Sequence, residues 1–101
     1  MSYGRCKALV IEPFHLVCIT FAVTRTGGAY NNSTYYTFFN IPDTYAPTAD
    51  VFFKGAVQGM IITYSGKVTK YGEVMGYNAD NTNNGARLGS TNTGSVVYYC
   101  N

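Results

Sequence analysis

The sequence has 101 residues, of which 47% are hydrophobic, 16% aromatic and 12% charged, and its formal net charge at pH 7 is +2. A chain of this length has room for one domain, residues 1–101, with a modest core, and so many aromatic residues exclude an intrinsically disordered chain. The seven basic residues are spread singly rather than clustered, so we expect no nucleic-acid partner.

The N-terminal part of the chain predicts two strands. Residues 6–12 form the first, and Pro13 ends it because proline cannot donate to a strand ladder. Residues 16–24 predict the strongest strand in the chain, since successive side chains of a strand point to opposite faces and one face here is wholly apolar. That face carries Val17, Ile19, Phe21 and Val23. We expect it to be buried in the core.

The middle of the chain predicts a loop followed by two more strands. Residues 27–33 are rich in Gly and Asn, which favours a turn or loop. The aromatic and β-branched run over 34–41 predicts the next strand. Pro42 and Pro47 then bracket a non-helical connection, after which residues 50–56 return to strand character.

The C-terminal half predicts a hairpin, a polar loop and a closing strand. Residues 60–64 and 67–71 are interpreted as paired strands, and Gly66 supplies the positive φ of a tight Ser-Gly turn between them. Residues 76–85 contain five Asn or Asp residues and predict the longest polar loop. Residues 96–100 then form the last strand.

The spacing of these elements predicts the fold class. Seven or eight short strands at roughly ten-residue spacing, with no helical periodicity, indicate an all-β domain. We expect a small antiparallel β-sandwich or a jelly-roll-like barrel.

Several of the predicted strands are apolar on both faces. The clearest cases lie within residues 34–41, 51–53 and 60–64. A sheet with one solvated face alternates apolar with polar residues, so a second apolar face needs cover. The pattern therefore predicts a subunit interface.

Nothing in the sequence directs the chain to a membrane. Its longest apolar run, from Leu16 to Val23, is interrupted by Thr20 and is shorter than the roughly 18 residues that span a bilayer. Glu12 and Pro13 break the apolar segment that a signal peptide would need. We expect no membrane insertion.

The polar residues form no recognisable catalytic or metal-binding motif. The single histidine, His15, has no nucleophile arranged beside it, so a structural role is favoured over a triad built on Cys6 or Cys18. Residues 80–85 resemble a calcium loop, but Thr91 stands where the twelfth-position carboxylate belongs. We therefore expect a protein that is not an enzyme and that has no cofactor and no metal site.

The three cysteines leave two alternatives open. Cys6, Cys18 and Cys100 are an odd number and contain no C-x-x-C pair, which argues against a disulfide framework or a zinc ribbon. Free cysteines that pack as small hydrophobes are the favoured interpretation. The alternative is one disulfide between Cys6 and either of the other two.

Two Gly- and Asn-rich loops supply the candidate binding residues. Tyrosine among Asn, Ser and Gly is typical of adaptable recognition loops, in which a rigid ring gives contact area and small polar groups give hydrogen bonds. Such rings can stack on a sugar. The alternative is that these residues only form β-turns. The predicted ligand-binding residues are Tyr30, Asn31, Asn32, Tyr77, Asn78 and Asp80.

A further pattern extends from residue 41 to residue 69. Residues 41–53 read Ile-Pro-Asp-Thr-Tyr-Ala-Pro-Thr-Ala-Asp-Val-Phe-Phe, and after Gly59 residues 61–69 read Ile-Ile-Thr-Tyr-Ser-Gly-Lys-Val-Thr. This resembles the C-terminal head domains of bacteriophage tail-fibre and baseplate receptor-binding proteins, where a hydrophobe-Pro-x-x-Tyr-x-Pro corner precedes a hairpin with an x-x-Gly-x-hydrophobe turn. In this pattern we expect Tyr45 to anchor the corner in the core and Gly66 to close the hairpin.

The resemblance extends loosely to the strands at 16–24, 34–41 and 94–99, whereas Asp50 and the doubled Phe52-Phe53 depart from the usual pattern. It implies a homotrimeric head in the virion, at a tail fibre or baseplate, assembled in the bacterial cytoplasm. Its function would be host attachment through a bacterial cell-surface saccharide. No site residue follows from matching the family.

Two other functions stay open. The first is a non-catalytic structural assembly domain, a capsid decoration or baseplate component, that binds other tail or virion proteins. The second is a small hydrolase that uses a Cys/His pair.

Overall fold

The described residues form seven strands and one turn of 3₁₀ helix, Asp43–Tyr45. The computed structural model describes residues 3–11, 15–24, 33–59, 62–79, 85–87 and 90–100. The strands are β1 (Tyr3–Ile11), β2 (Leu16–Thr24), β3 (Thr34–Asn40), β4 (Val51–Val57), β5 (Thr63–Val68), β6 (Glu73–Asn78) and β7 (Thr91–Tyr99). The predicted all-β class is confirmed. No helix within the described ranges is long and apolar enough to cross a membrane.

All seven strands belong to one antiparallel sheet with the order β1-β2-β7-β4-β5-β6-β3. The pairs β1–β2, β4–β5 and β5–β6 join strands that follow each other in the chain. The other pairings are non-local, because β7 inserts between β2 and β4 while β3 pairs with β6. The two edge strands are therefore β1 and β3.

The sheet curls so that strands distant in this order meet across the core. The ring of Phe21, on β2, has its centroid 5.6 Å from that of Phe38 and 5.3 Å from that of Phe39, both on β3. The Phe53 ring, on β4, lies 5.9 Å from Phe21. Strands at opposite ends of a flat sheet could not make these contacts. The curl gives the single sheet the two facing layers of a small sandwich or barrel.

The inner face of β2 is the one that the sequence predicts. Its four apolar residues, Val17, Ile19, Phe21 and Val23, are each at most 6% exposed. Burying an aliphatic or aromatic side chain of this kind contributes about 1.5–3 kcal/mol to stability. These residues join a core that includes Phe38, Val57, Tyr64, Val68, Val74, Val96 and Tyr98.

The predicted hairpin turn at Ser65-Gly66 is wrong, because both residues lie inside β5. The chain reverses instead at Gly59, where φ is 78°, and again at Gly72, where φ is 86°. Gly66 faces the core, and a Cβ at this position would overlap the ring of Phe53. This glycine therefore permits close packing of a ring and does not form a turn.

The predicted polar loop over 76–85 begins too early. Residues 76–78 belong to β6, which pairs with β5 on one side and β3 on the other. The inward positions Val74, Gly76 and Asn78 are buried. Local composition favours a turn here, but hydrogen bonding to two neighbouring strands overrides that preference.

The proline corner differs from its prediction at Tyr45. This side chain is 38% exposed rather than anchored in the core, and Ala46 is buried instead. The anchor is Tyr98, whose hydroxyl donates a 2.7 Å hydrogen bond to the carbonyl oxygen of Tyr45. Burial, together with a smaller effect of the nearby Cys100, raises the pKa of Tyr98 to about 12.

Some of the residues that make these strands apolar on both faces turn out to pack in the core. A bulge between Thr37 and Phe39 places both Phe38 and Phe39 against the core. Tyr64 is buried as well, and residues 60 and 61 lie outside the described residues. Tyr35 and Phe52 are among those that lie on the outer surface, and 65% of the Phe52 side chain is exposed.

Candidate functional site

The outer face of strands β4, β5, β6 and β3 carries a group of aromatic and basic side chains. We call it the tyrosine face and define it by Tyr35, Phe52, Lys54, Ser65, Lys67 and Tyr77. Strand register places Phe52 opposite Lys67 and Lys54 opposite Ser65, on β4 and β5. On the other pair of strands, Tyr77 of β6 lies opposite Tyr35 of β3. Four strands, whose order in the sheet (β4-β5-β6-β3) differs from their order in the chain, thus contribute to one surface.

Two tyrosines and a lysine form a fixed group within this face. The rings of Tyr35 and Tyr77 have centroids 4.8 Å apart and are tilted by 55°. The Lys67 ammonium lies 4.2 Å from the centroid of the Tyr35 ring and 4.0 Å from a carboxylate oxygen of Asp50. Cation–π attraction and the ion pair hold the lysine between ring and carboxylate. The orientation of Tyr35 is therefore stabilised from two sides.

The main groove of the tyrosine face has a volume of about 490 Å³ and is open to solvent. Its lining consists of Tyr35, Phe52, Phe53, Lys54 and Ser65. Aromatic rings therefore approach it from both β3 and β4, while an ammonium and a hydroxyl provide polar contacts. An apolar surface with a few fixed polar groups is the usual composition of a small-ligand site.

A second groove of about 220 Å³ adjoins the first. Its lining is Lys54, Thr63, Tyr64, Ser65, Tyr77, Ala79 and Gly85. Lys54 and Ser65 belong to both grooves, and the Lys54 ammonium donates a 3.3 Å hydrogen bond to the Ser65 hydroxyl. Lys54 thus lies at the junction of two adjoining grooves.

The structure places the predicted ligand-binding residues in different situations. Tyr77 lies in the second groove, on β6. Asn78 follows it with its side chain fully buried, so it does not lie on the surface. Tyr30, Asn31, Asn32 and Asp80 lie outside the described residues.

The ends of the two predicted recognition loops lie side by side. The backbone N–H of Ser33 donates a 2.6 Å hydrogen bond to the carbonyl oxygen of Asn78. The first loop ends at Ser33 and the second begins just after Asn78. Both therefore join the sheet at the same end of the β3–β6 pair, next to Tyr35 and Tyr77.

Sequence reasoning missed most of the tyrosine face. Tyr35, Phe52, Lys54 and Ser65 come from three strands, and none of them lies in a polar loop. The alternation Phe52, Lys54 on β4 is a signal that these side chains share one face. The partnership of Tyr35 with Tyr77 requires the β3–β6 pairing, which joins segments about 40 residues apart and has no local signature.

A separate apolar surface lies on the outer face of β1, β2 and β7. Register places Cys18 between Leu9 and Val97, and Leu16 between Ile11 and Tyr99. Leu9, Val97 and Tyr99 are 59%, 55% and 69% exposed, respectively. We call these six residues the apolar patch. Contiguous exposed apolar residues of this kind mark interaction surfaces.

The apolar patch has a sharp boundary along the same strands. The next outward pair along β2 and β7 is Thr20 opposite Ser95, and both side chains are exposed. The outer face of these strands is therefore apolar at the end near Tyr99 and polar beyond Val97.

Of the residues considered for catalysis, the structure describes the surroundings of His15, just before β2, and of Cys18, within β2. His15 is exposed in the turn before β2, with φ of 56°, and its carbonyl oxygen accepts a hydrogen bond from the Cys100 N–H. Cys18 and Cys100 are both free, so neither forms the disulfide with Cys6 that was left open. Among the described residues, no three His, Cys, Asp or Glu side chains are grouped closely enough to hold a metal ion.

No protein-family model matches this chain, and a search of curated proteins finds no significant match.

Proposed function

We propose that the chain is a non-catalytic receptor-binding head of a phage, or prophage-derived, tail fibre or baseplate, which attaches to a bacterial cell-surface saccharide. The observation that carries the proposal is the open groove between Tyr35 and Phe52, with the Lys54 ammonium and the Ser65 hydroxyl beside it. The C–H faces of a sugar ring pack against aromatic rings, while its hydroxyl groups bond to ammonium and hydroxyl groups. The sequence pattern of residues 41–69, which resembles phage head domains, suggests the same function, although Gly66 lies inside β5 and Tyr45 is exposed.

The two recognition loops would extend this site. Tyr30, Asn31, Asn32 and Asp80 belong to segments that join the sheet beside Tyr35 and Tyr77. Tyrosine and asparagine in such loops would add contacts around the edge of a bound saccharide.

Self-association would strengthen binding to a surface covered with saccharide. A shallow, open groove gives low affinity, and three linked sites raise the overall affinity without new contacts. We propose that the chain forms a homotrimer through the apolar patch. The patch supplies contiguous exposed apolar area, which a subunit contact would bury.

A structural assembly domain is the second candidate function, and the apolar patch favours it. Its exposed Leu9, Val97 and Tyr99 would equally serve to bind other tail or virion proteins. The two functions differ in the tyrosine face, which only a receptor-binding head needs for its activity.

Binding to host cells and to their isolated surface saccharide tests the proposal. We expect Tyr35→Ala and Tyr77→Ala each to weaken binding by about tenfold, because each removes a ring from the stacking surface. Tyr30→Ala should also weaken it. Tyr71→Ala is the matched control, since Tyr71 is 68% exposed in the β5–β6 turn, outside the tyrosine face.

Two observations make the outcome decisive. Tyr35→Phe keeps the ring and should bind as the wild type does, and circular dichroism should report an unchanged fold for every variant. Unchanged binding by folded Tyr35→Ala and Tyr77→Ala proteins would exclude a saccharide site on this face and leave the structural assembly function.

A further inference from the structure

The charge at the junction of the two grooves indicates which class of saccharide the face selects. The Lys54 side chain is exposed, and its ammonium bonds to the Ser65 hydroxyl at 3.3 Å. Within the described part of the chain, no carboxylate forms an ion pair with it. Lys54 therefore presents a positive charge where the two grooves meet, and no described carboxylate neutralises it.

The described carboxylates of this face, Asp50 and Glu73, lie away from Lys54. Asp50 lies four residues before Lys54 on the same face of the β4 segment, about 13 Å away at the rise of an extended strand. Its oxygens bind the Lys67 ammonium at 4.0 Å and the Lys70 N–H at 3.2 Å. Glu73 accepts a 3.2 Å hydrogen bond from the Thr69 hydroxyl at that same far end. Lys54 is thus separated along the face from both of these carboxylates.

We propose that the tyrosine face binds an acidic saccharide, with the carboxylate of one sugar unit held by Lys54 and Ser65 at the junction of the grooves. This inference rests on the proposed function and deepens it. A carboxylate accepts hydrogen bonds from the ammonium and the hydroxyl together, and such charge-assisted bonds are stronger than neutral ones. The units on either side occupy the main groove, against Tyr35 and Phe52, and the second groove, beside Tyr77.

Pairs of oligosaccharides that differ only in the carboxylate test this selectivity. The probes are uronic-acid-containing bacterial surface oligosaccharides, each compared with its carboxyl-reduced product, in which the acid has become a primary alcohol. We expect the acidic member of a pair to bind about tenfold more tightly, as a charge-assisted hydrogen bond predicts. The difference should shrink as salt concentration rises.

Substitutions at Lys54 assign the selectivity to this residue. Lys54→Gln should bind the two members of each pair equally, whereas Lys54→Arg should keep the preference for the acidic member. Lys70→Gln is the matched control, because Lys70 is an exposed lysine in the β5–β6 turn, and it should leave both affinities unchanged.

The outcomes separate this inference from the proposed function. Equal binding of both members of every pair, with Tyr35→Ala still weakening it, would overturn the acidic preference and leave saccharide binding intact. A preference that survives Lys54→Gln would overturn the role of Lys54. Failure of all probes and of the host surface saccharide to bind would overturn both proposals.

Discussion

Asn92 is a fully buried polar residue on β7 with all of its side-chain groups in use. Its Oδ1 accepts a 2.8 Å hydrogen bond from the Arg87 N–H, and its Nδ2 donates to the carbonyl oxygens of Arg87 at 2.9 Å and Ser90 at 3.2 Å. The side-chain amide therefore makes the hydrogen bonds that a neighbouring strand backbone would make, and it links Arg87 and Ser90 to β7.

Substitution of Asn92 should destabilise the fold strongly. Asn92→Ala removes three hydrogen bonds to backbone groups of Arg87 and Ser90 and should lower the free energy of unfolding by about 2 kcal/mol. Asn92→Asp should cost more, because a carboxylate would face two carbonyl oxygens. The difference in stability between Asn92→Asp and the wild type should become smaller as the pH falls, since the protonated carboxyl group can donate a hydrogen bond again.

Urea unfolding at several pH values measures both effects. Ser95→Ala serves as the control, because Ser95 is exposed on the outer face of the same strand, and it should change stability by less than about 0.5 kcal/mol. Equal stability of Asn92→Asp and the wild type at neutral pH would contradict this account.

Ionisation of the Tyr98 hydroxyl makes the stability of the fold depend on pH in the alkaline range. The pKa of its hydroxyl is raised from 10.0 to about 12 by burial, with a smaller effect of Cys100. The folded state therefore holds this proton at pH values where the unfolded chain loses it. The stabilisation is complete below pH 10 and is lost as the pH rises toward 12.

A comparison of the wild type with Tyr98→Phe isolates this titration. Near neutral pH the variant should be about 1 kcal/mol less stable, because it lacks the hydrogen bond to the Tyr45 carbonyl. That difference should narrow as the pH rises above 10, since only the wild type loses stability through this group. A difference that stays constant up to pH 12 would contradict the assignment.

At the scale of the strands, aromatic rings packed on glycines hold the layers together. A Cβ on any of four inward glycines would overlap a ring from another strand. The glycine and ring pairs are Gly55 with Tyr64, Gly66 with Phe53, Gly76 with Phe38 and Gly94 with Phe21. Neighbouring rings then meet edge to face or tilted, with centroids 5.3–6.4 Å apart.

Gly66→Ala should therefore be destabilising even though alanine is a better strand former than glycine. The methyl group would force the Phe53 ring to shift, which costs about 1–3 kcal/mol. Phe53→Leu in the same background should recover part of the loss, because the ring is gone. Thermal unfolding measures both, with the outward Ser65→Ala as control; a stabilised Gly66→Ala protein would exclude the overlap.

The elements also differ in how far local sequence determines them. The strand over residues 16–24 has the same bounds as its prediction, since alternation and β-branched residues agree there. β6 was missed because Gly76, Tyr77 and Asn78 have the composition of a loop. Its strand conformation depends on two neighbours, of which β3 is distant in the chain.

At the scale of the whole molecule, the curled sheet leaves the apolar patch uncovered on the outer face of β1, β2 and β7. We expect light scattering on a sizing column to give three times the 11.0 kDa chain mass over a tenfold dilution. Val97→Lys should give the mass of a single chain, since a buried, unpaired ammonium is costly in an apolar contact.

Thr20→Lys is the matched control for this measurement. Thr20 lies on the same outer face of β2, beyond the polar boundary of the patch, so a lysine there should leave the mass unchanged. A wild-type protein with the mass of one chain at all concentrations would contradict the homotrimer.

The all-β class and the buried face of β2 could be predicted from the sequence, and the strands predicted over 16–24, 34–41 and 50–56 agree with β2, β3 and β4 to within one residue at each end. These properties follow from side-chain alternation and from turn residues, which act between near neighbours. Two pairings could be seen only in the folded chain: β7 inserts between β2 and β4, and β3 pairs with β6. Both the tyrosine face and the apolar patch depend on those non-local pairings, because sheet register, which no single segment encodes, sets which outward side chains become neighbours.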